Sequence, residues 1–578
     1  MKYLKKIIAA ASVVLFSSAF TSQTAAGLSD SEINEVKAII SVLHGAKESS
    51  ASSDFNNDSK VDILDLIELK HSILENASAT GEIKTSEYPA SESNVKLVGR
   101  TVMKDDTAWL VQSGAAAEFT VTGTFAEVIL AGDGCVKSED RWKPRYAVFV
   151  DDELVDDSLL SETQKCIKLF DSKVLRTAKV RVIHLSEANN GAIGISGIKV
   201  TSNVAVPVKP EPKKDISIEI IGDSITCGYG VEAASNGDQF STSTENFMKS
   251  YAYLAAQKLN ADYSAVSYSG YGVVSGYTSD EKNTDSLVPD YYDYAGRLDD
   301  YKVPWDFDKN KNDVVVINLG TNDYSYLSKD LEGRSEDFNK AYYDFLGQVR
   351  EKNPDSYIIC TVGTMGGYEV YDLIEKVCEE YSNDNNDTRI SSYRSTTQNA
   401  ANGYGADWHP SVITQQMSAY VLADKICQVL GIQSDKVGLD AVDGANYDVK
   451  INKDNGANAA SYVGYDNSLW LNTVTGGTDT SDVQAYISGL DLNPGGTYRL
   501  SFDYTTNPDI EVPVQIIADH DDNKVYFSDT VSSTNQKQHY SKEIVLDAND
   551  PACALTLGIG GHDYCNLTLS NVSLIKLY

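Results

Sequence analysis

The chain is poor in cysteine, histidine and basic residues for its length. It has 8 cysteines and 7 histidines in 578 residues, and 49 basic residues against 83 acidic ones give a formal net charge of −34. So few cysteines exclude a disulfide-dense scaffold, and no cysteine–histidine cluster has the spacing of a zinc site. The acidic excess argues against nucleic acid and anionic membranes as partners. The length predicts about three to five domains.

Long apolar segments are missing beyond the amino terminus, so no membrane-spanning helix is predicted. The first 26 residues combine a basic start, an apolar stretch and a small-residue end at Ala25-Ala26. This pattern predicts a signal peptide over residues 1–26 and a secreted, extracellular protein. Exported proteins can form disulfides, and free thiols are the alternative for the two candidate pairs. These pairs are Cys135 with Cys166, and Cys553 with Cys565.

The most informative motif is a serine placed directly after a strand-like run. Residues 216–221 are mostly apolar and lead into Gly222-Asp223-Ser224. A buried parallel strand ending there would present the Ser224 hydroxyl at the carboxyl edge of a sheet, where open α/β sheets place their chemistry. Taken alone, Ser224 would more simply be a turn residue that caps the next helix.

Three further residues supply what a serine nucleophile needs. Gly270 and Asn322 follow two other strand-like runs, and His409 precedes a helical stretch. A histidine can take the proton of a serine hydroxyl. The N–H groups of Ser224 and Gly270, together with the side-chain amide of Asn322, could stabilise an oxyanion. Gly272 is a near neighbour that could replace Gly270.

These four blocks, in this order over residues 215–432, resemble the SGNH hydrolases, also called GDSL-type esterases. The resemblance implies a central α/β domain in which a parallel sheet is flanked by helices. It also implies Ser224 as nucleophile, His409 as base, an oxyanion hole of Ser224, Gly270 and Asn322, and no cofactor for catalysis.

The chain departs from this family at the residue expected to orient the histidine. The family usually has an aspartate three residues before the histidine, and here that position is Ala406. Asp407 is the nearest carboxylate, and we take it as the third catalytic residue. In the alternative, a backbone carbonyl orients His409 and the site is a serine–histidine dyad.

Residues 27–76 predict a small helical module with one calcium loop. Oxygen ligands fall at the spacing of such a loop, with Lys60 contributing its carbonyl. The predicted ligands are Asp54, Asn56, Asp58, Lys60, Asp62 and Asp65. Residues 33–40 and 66–73 repeat a similar helical pattern, and the module resembles a truncated dockerin. That resemblance implies Ca²⁺ binding and a cohesin of a cellulosomal scaffoldin as partner, with the enzyme attached to a cellulosome or to the cell surface.

The remaining segments predict a flexible linker and two β-sandwiches. Residues 77–94 have the composition of a linker, whereas residues 95–205 and 437–578 contain short alternating strands separated by turns. The last segment looks like a jelly-roll carbohydrate-binding module. Aromatic residues there could line a glycan groove or belong to the core: Tyr462, Tyr465, Trp470 and Tyr486.

A β-sandwich followed by an SGNH domain is similar to the family 2 carbohydrate esterases. That resemblance implies removal of O-acetyl groups from xylan, glucomannan or related plant polysaccharides, and a neutral polymer suits the acidic chain. Trp408, Tyr271 and Trp305 are the predicted substrate-binding residues. The alternatives are a peptidoglycan O-acetyl esterase, a lipase, a thioesterase, or a non-catalytic glycan-binding subunit of a cellulosome.

Overall fold

The computed structural model describes residues 79–464 and 467–578, together with Asp65 and Leu69. The chain divides into two compact units, Met1–Ala419 and Tyr420–Tyr578. Five of the six predicted calcium ligands, the signal peptide and Tyr465 lie outside the described residues. Asp65 is described as a buried helical residue.

The first part of unit 1 is a β-domain whose ten strands form one hydrogen-bonded sheet. The strands are β1 (Ala79–Tyr88), β2 (Lys96–Val98), β3 (Thr101–Lys104), β4 (Thr107–Leu110), β5 (Ala116–Gly132), β6 (Arg145–Val150), β7 (Glu153–Leu159), β8 (Gln164–His184), β9 (Ile193–Val204) and β10 (Val208–Pro210). Along β5, buried and half-buried residues alternate over much of its length, as expected when one face of a strand covers a core. That core includes Phe119, Val121, Val128 and Tyr146.

The linker predicted over residues 77–94 is wrong for most of its length. Residues 79–88 form β1, which pairs antiparallel with β9 through contacts such as Tyr88 with Ile198. Its polar composition is explained by its exposed side chains, because one face of an edge strand remains in solvent. The β-domain therefore begins before residue 95, and it ends with β10 on β5.

The second part of unit 1 is an α/β domain built on a five-stranded parallel sheet. Its strands are β11 (Ser217–Gly222), β12 (Asp262–Ser267), β13 (Val314–Asn318), β14 (Tyr357–Val362) and β15 (Ile390–Arg394). Its helices are α1 (Ser224–Cys227), α2 (Tyr251–Lys258), α3 (Pro289–Tyr292), α4 (Thr321–Leu327), α5 (Leu331–Lys352) and α6 (Tyr368–Asn385). A further helix, α7 (Val412–Leu430), contains the division between the two units.

The strand order in this sheet is β12-β11-β13-β14-β15, which confirms the predicted parallel α/β arrangement. The chain moves from β11 outward to β12, and then crosses back to β13 on the other side of β11. The carboxyl ends of these three strands therefore meet where the strand order reverses, which is where ligand crevices form in open α/β sheets.

The β-domain is joined to the α/β domain by a buried ion pair. Arg100 and Glu219 have fully buried side chains, and Arg100 Nη2 lies 3.0 Å from Glu219 Oε1. Arg100 Nη1 also donates to the Tyr294 carbonyl at 2.6 Å, and the Tyr292 hydroxyl donates to Glu219 Oε2 at 2.9 Å. Since Glu219 lies on β11, this junction involves the strand that leads directly to Ser224.

Unit 2 contains two five-stranded antiparallel sheets that share one apolar core. The first has the order β16 (Asn446–Ile451), β19 (Val483–Leu490), β24 (Cys553–Gly558), β21 (Ile510–Ala518) and β22 (Asp521–Ser533). The second has the order β17 (Asn458–Val463), β18 (Leu469–Thr475), β25 (Asn566–Lys576), β20 (Gly496–Asn507) and β23 (Gln538–Leu546). This arrangement agrees with the β-sandwich predicted over residues 437–578.

All eight cysteines are described as free thiols, so neither candidate disulfide is present. Cys553 and Cys565 are buried, as expected for small apolar side chains in a core. Within the part of the chain that the structure describes, no helix is both long enough and apolar enough to cross a membrane.

Candidate active site

The structure brings the predicted nucleophile and base into direct contact. Ser224 is the first residue of α1, immediately after β11, and its Oγ lies 2.8 Å from His409 Nε2. His409 Nδ1 lies 3.1 Å from the Ala406 carbonyl oxygen. Because a carbonyl can only accept, Nδ1 carries the proton and Nε2 is free to accept the serine proton. The site is therefore arranged for nucleophilic attack by Ser224.

The prediction that Asp407 orients His409 is wrong, and the backbone alternative describes the geometry. Asp407 Oδ2 accepts a 2.8 Å hydrogen bond from the Tyr229 hydroxyl, while the carbonyl of Ala406 occupies the position at Nδ1. Asp407 has a left-handed backbone, with φ 49° and ψ 37°, and its side chain is exposed. The pair is a serine–histidine dyad oriented by a carbonyl.

The close approach of two loops explains why residue 406 contributes its carbonyl. Ala406 is fully buried, and its N–H donates to the Gly230 carbonyl at 3.0 Å. A Cβ at Gly230 would lie only 2.4 Å from the Ala406 Cβ, so the two residues fit only because both are small. The side chain at position 406 therefore faces Gly230, and its carbonyl remains available to His409.

Tyr229 covers one face of the catalytic imidazole. The ring centroids of Tyr229 and His409 lie 4.0 Å apart at an interplanar angle of 27°, and Phe240 stacks on Tyr229 at 4.2 Å. Through its hydroxyl, Tyr229 is held by Asp407. Asp407 thus contacts Tyr229 and not His409 itself. The aromatic face of Tyr229 favours a positive charge on the imidazole that stacks against it.

The electrostatics of His409 favour the neutral form that a base requires. Burial lowers the pKa of His409 to about 4, because the charged imidazolium loses solvation. The hydrogen bond to Ala406 and the negative charge of Asp407 act in the opposite direction. At neutral pH the imidazole is therefore unprotonated and competent to accept the proton of Ser224.

The predicted oxyanion donors all follow strands of the parallel sheet: Ser224 begins α1 after β11, Gly270 lies on the loop after β12, and Asn322 lies in the first turn of α4 after β13. Gly270 has φ +82°, a conformation that favours glycine, and a Cβ there would meet no atom within 4 Å. Gly272 is excluded as the donor because its N–H already donates to the Ser286 carbonyl at 3.1 Å. Asn322 Nδ2 donates to the Tyr271 carbonyl at 2.8 Å, which fixes the orientation of its amide.

Two buried aspartates brace the loops around these donors. Asp223 Oδ1 accepts the Ile225 N–H at 3.0 Å and so caps α1. Asp323 Oδ1 accepts from the N–H groups of Val273, Val274 and Ser275 at 2.7–3.0 Å. Burial, followed by the nearby charge of Asp323, raises the pKa of Asp223 to about 7. Asp223 Oδ2 also accepts from Asn322 Nδ2 at 3.4 Å, so the two carboxyls hold both the backbone and the Asn322 amide in place.

Of the three predicted substrate-binding residues, only Trp408 presents an aromatic side chain to solvent beside His409. It is 58 % exposed and makes a ring contact with Tyr404 at 5.1 Å. The prediction for Tyr271 is wrong, because it is only 6 % exposed and packs within the domain core. Its hydroxyl accepts from Arg297 Nε at 2.7 Å.

Trp305 is also wrongly predicted as a substrate-binding residue. It packs with Val102 and Tyr301 and stands 5.5 Å from the Arg100 guanidinium at the junction of the two domains of unit 1. It precedes β13, so it belongs to the opposite end of the sheet from Asn322, which follows that strand. Its role is packing of the junction.

The structure adds contacts to the site that the sequence analysis missed. Gln112 and Glu187 belong to the β-domain, yet they bind the loop that follows β12: Gln112 Nε2 donates to the Tyr268 hydroxyl at 2.6 Å, and Glu187 Oε2 accepts the Ser269 N–H at 2.8 Å. No local motif marks such residues, because their partners lie 82 to 156 positions away in the chain.

Comparisons with known proteins find two family matches in unit 1. Residues 220–417 match the GDSL-like Lipase/Acylhydrolase family, and residues 97–210 match the Carbohydrate esterase 2 N-terminal family. The first match contains the serine, the asparagine and the histidine described above. The second covers most of the β-domain.

Two curated relatives share these regions. "Cellulase/esterase CelE" of Acetivibrio thermocellus is 33% identical over 329 residues, which cover 56% of this chain and 38% of that protein. "Acetylxylan esterase / glucomannan deacetylase" of Cellvibrio japonicus is 24% identical over 286 residues, covering 49% of this chain and 74% of that protein. The chain therefore spans well under half of the first relative and about three quarters of the second.

A solved structure is also similar to a large part of this chain. A family two carbohydrate esterase from Clostridium thermocellum, determined in complex with cellohexaose, is 30% identical with a TM-score of 0.52. The alignment covers 58% of this chain and 99% of that structure. The shared part therefore comprises almost the whole of the solved enzyme.

Proposed function

Because the chain belongs to carbohydrate esterase family 2, we propose that it is a secreted serine esterase that removes O-acetyl groups from plant cell-wall polysaccharides. The observation that carries this proposal is the 2.8 Å contact between Ser224 Oγ and His409 Nε2, at the sheet edge where the Gly270 loop and the start of α4, with Asn322, also lie. A hydroxyl with a neutral imidazole at hydrogen-bond distance is the arrangement that acyl transfer requires.

The reaction would proceed through an acetyl-serine intermediate. Ser224 Oγ attacks the acetyl carbonyl carbon while His409 Nε2 takes its proton, and the N–H groups of Ser224 and Gly270 with the amide of Asn322 stabilise the oxyanion. The imidazolium then gives this proton to the departing sugar oxygen. A water molecule, deprotonated by His409, attacks the acetyl-serine, and acetate leaves as Ser224 regains its proton.

The substrate class is supported by the relatives and by the surface beside the base. One relative is named for acetylxylan and glucomannan, and one similar structure was determined with a bound cello-oligosaccharide. In this chain, exposed Trp408 lies next to His409 and could stack on a sugar ring. A net charge of −34 also favours a neutral polymer over an anionic one.

The proposal is tested by acetate release from acetylated xylan, acetylated glucomannan and O-acetylated peptidoglycan. We expect release from the plant polysaccharides by the wild-type protein and none above background by Ser224→Ala. Equal release by both proteins would refute serine catalysis. Release from peptidoglycan alone would be consistent with the serine mechanism but would show that peptidoglycan is the substrate. A lipase would prefer long-chain esters, and a thioesterase would prefer thioesters.

Unit 2 is proposed to bind glycan through an aromatic pair on its second sheet. Tyr462 on β17 and Trp470 on β18 lie opposite each other in register and are 62% and 39% exposed. Tyr486 is not part of this surface, since it is buried and its hydroxyl donates to Asp519. Retardation in gels containing soluble xylan or glucomannan should be lost in Trp470→Ala but kept in the matched control Tyr564→Ala, which removes another exposed tyrosine.

The amino-terminal segment is proposed to direct export and to attach the enzyme to a scaffold. Residues 1–26 would be removed on secretion, which amino-terminal sequencing of the extracellular protein can check. The acidic loop at residues 54–65 would bind Ca²⁺ and allow docking to a cohesin. Cohesin binding that survives EDTA, or no binding with Ca²⁺ present, would refute this assignment.

A further inference from the structure

The loop that carries Gly270 rests on residues of the β-domain. The Gln112 side chain donates to the Tyr268 hydroxyl at 2.6 Å and accepts the Ser267 N–H at 3.4 Å. The Tyr263 hydroxyl, on β12, donates to the Gly114 carbonyl at 2.9 Å. The segment between β4 and β5 therefore contacts β12 near its start, through Tyr263, and at its end, through Ser267 and Tyr268.

Glu187 makes the contact nearest to the oxyanion donor. It lies between β8 and β9, is only 4% exposed, and its Oε2 accepts both the Ser269 N–H and Asn189 Nδ2 at 2.8 Å. The peptide group that contains the Ser269 N–H is followed directly by the one that contains the Gly270 N–H, which is the predicted oxyanion donor. The hydrogen bond from the Ser269 N–H to the Glu187 carboxylate fixes the orientation of the peptide group that immediately precedes the predicted donor.

A second buried carboxyl group faces Glu187. Glu245 lies in the α/β domain between α1 and α2, is fully buried, and accepts the Glu187 N–H through Oε2 at 2.9 Å. Its Oε1 is buried without a hydrogen-bond partner among the described residues. An ionised carboxylate with so few donors would be strongly destabilised by burial, whereas a protonated one would not.

The surrounding charges separate the roles of the two carboxyl groups. Burial raises the pKa of Glu187, while its two donors, the Ser269 N–H and Asn189 Nδ2, and then the charge of Arg297 act in the opposite direction and favour its ionised form. Arg145 Nη1 donates to the Glu245 backbone carbonyl at 3.1 Å, but the Arg145 guanidinium forms its ion pairs with Asp157 and Glu232 and not with the Glu245 carboxyl group. Burial, and then the charge of Glu187, raise the pKa of Glu245 well above its usual range.

We propose that Glu187 of the β-domain is a positioning residue for the oxyanion hole, and that it acts as the ionised member of a carboxyl pair whose single proton resides on Glu245. This inference rests on the proposed esterase function and extends it, because it gives the β-domain a part in positioning the oxyanion hole. Glu187 does not touch the substrate. It acts on Gly270 through the Ser269 amide.

The effect should fall on the chemical step and not on substrate binding. Outright loss of one oxyanion donor lowers kcat by about 10²–10³, and displacement of the Gly270 N–H should cost less. We therefore expect Glu187→Ala to lower kcat for an aryl acetate about 10- to 100-fold, with KM changed by less than about twofold. Glu187→Gln keeps an oxygen acceptor for Ser269 N–H and should recover part of this loss.

The matched control is Glu127→Gln, which alters another glutamate of the β-domain whose partner is Lys199 at 3.1 Å. It should retain wild-type kcat and KM. Amide hydrogen exchange of a peptide spanning residues 267–272 provides a readout independent of activity. Exchange should be faster in Glu187→Ala than in the wild type or in the control, because the Ser269 N–H has lost its acceptor.

The proton on Glu245 can be located by infrared spectroscopy at neutral pH. The difference spectrum between the wild type and Glu245→Gln should show the loss of one protonated-carboxyl band, while the contribution of Asp223, whose pKa is raised to about 7, remains in both proteins. Identical spectra of the two proteins in this region would overturn the assignment of the proton to Glu245.

The outcomes separate this inference from the proposed function. Wild-type activity no higher than that of Ser224→Ala would refute the esterase, while the exchange measurement would still test Glu187. Wild-type kcat together with unchanged exchange in Glu187→Ala would overturn the positioning role. A folded Glu187→Gln protein keeps the test valid even where Glu187→Ala does not fold.

Discussion

Removal of the Asp407 charge should have only a small effect on catalysis. The carboxylate is exposed and contacts the Tyr229 hydroxyl, whereas His409 Nδ1 is bound by the Ala406 carbonyl. In a serine–histidine–aspartate triad, loss of the carboxylate lowers kcat by about 10⁴. The geometry here predicts a far smaller loss for Asp407→Asn, since the orienting hydrogen bond remains in place.

The size of the expected loss in kcat follows from the exposure of the Asp407 side chain. An exposed charge contact contributes up to about 1 kcal/mol, and about 1.4 kcal/mol corresponds to a tenfold change in rate. Asp407→Asn should therefore lower kcat by no more than about fivefold. The same substitution removes a charge that favours imidazolium, so the pKa of His409 should fall further and the acid limb of the pH profile should move to lower pH.

The assay is steady-state hydrolysis of an aryl acetate at neutral pH, with acetate release from acetylated xylan measured in parallel. His409→Gln, which removes the base, and Ser224→Ala define the background. Tyr229→Phe breaks the hydrogen bond to Asp407 but keeps the stacked ring, and should behave like Asp407→Asn. A loss of about 10³ or more in a folded Asp407→Asn protein would refute the carbonyl-oriented dyad.

The oxyanion hole, the imidazole and the domain junction each allow one further measurement. Asn322→Ala should lower kcat by about 10²–10³ with little change in KM, measured with the same ester. Since the pKa of His409 is lowered to about 4, kcat/KM should stay nearly constant from pH 7 to about 5 and be lost as the pH falls through about 4. Arg100→Met leaves Glu219 buried without its cation and should destabilise unit 1 by about 3–5 kcal/mol in urea unfolding followed by tryptophan fluorescence.

Each of these outcomes has a result that would contradict it. An Asn322→Ala protein that lost affinity at constant kcat would place the amide outside the oxyanion hole, and Asn399→Ala, an exposed asparagine, is its control. An acid limb near pH 6.5 would mean that His409 is solvated like a free histidine. Arg100→Met should differ from Arg499→Met, which breaks an exposed pair with Glu543 and should cost no more than about 1 kcal/mol.

The order of local patterns was sufficient to predict the sheet and the reacting pair. Three apolar runs that each end in a small or polar residue predicted parallel strands, and the carboxyl ends of neighbouring parallel strands must converge. Ser224 and Asn322 could therefore be placed together from the sequence. His409 was predicted as the base from chemical requirements, because a serine nucleophile needs a base and this histidine precedes a helical segment.

The errors concern side chains whose surroundings come from distant parts of the chain. Tyr271 follows the oxyanion loop in sequence, but the core formed with Tyr268 and Tyr291 turns its ring inward. Trp305 has an aromatic ring of the kind that stacks on sugars, yet the Arg100 guanidinium of the β-domain lies over that ring. Residues 79–88 read as a linker because an edge strand needs few apolar residues. Burial of this kind is decided by tertiary contacts that no local pattern records.

The error at Asp407 has a more specific cause, and it explains how the chain tolerates alanine at position 406. The expected carboxylate would lie on a residue that is fully buried against Gly230, where only a small side chain fits. With Ala406 there, its carbonyl meets His409 Nδ1, and the left-handed backbone of Asp407 directs the next carboxylate to Tyr229. The carbonyl fixes the tautomer of the imidazole, while the stacked Tyr229 ring supplies a surface that favours its positive charge. The two tasks that one aspartate performs in a triad are thus divided between a backbone oxygen and an aromatic ring, and loss of the ring in Tyr229→Leu should therefore impair catalysis more than loss of the Asp407 charge.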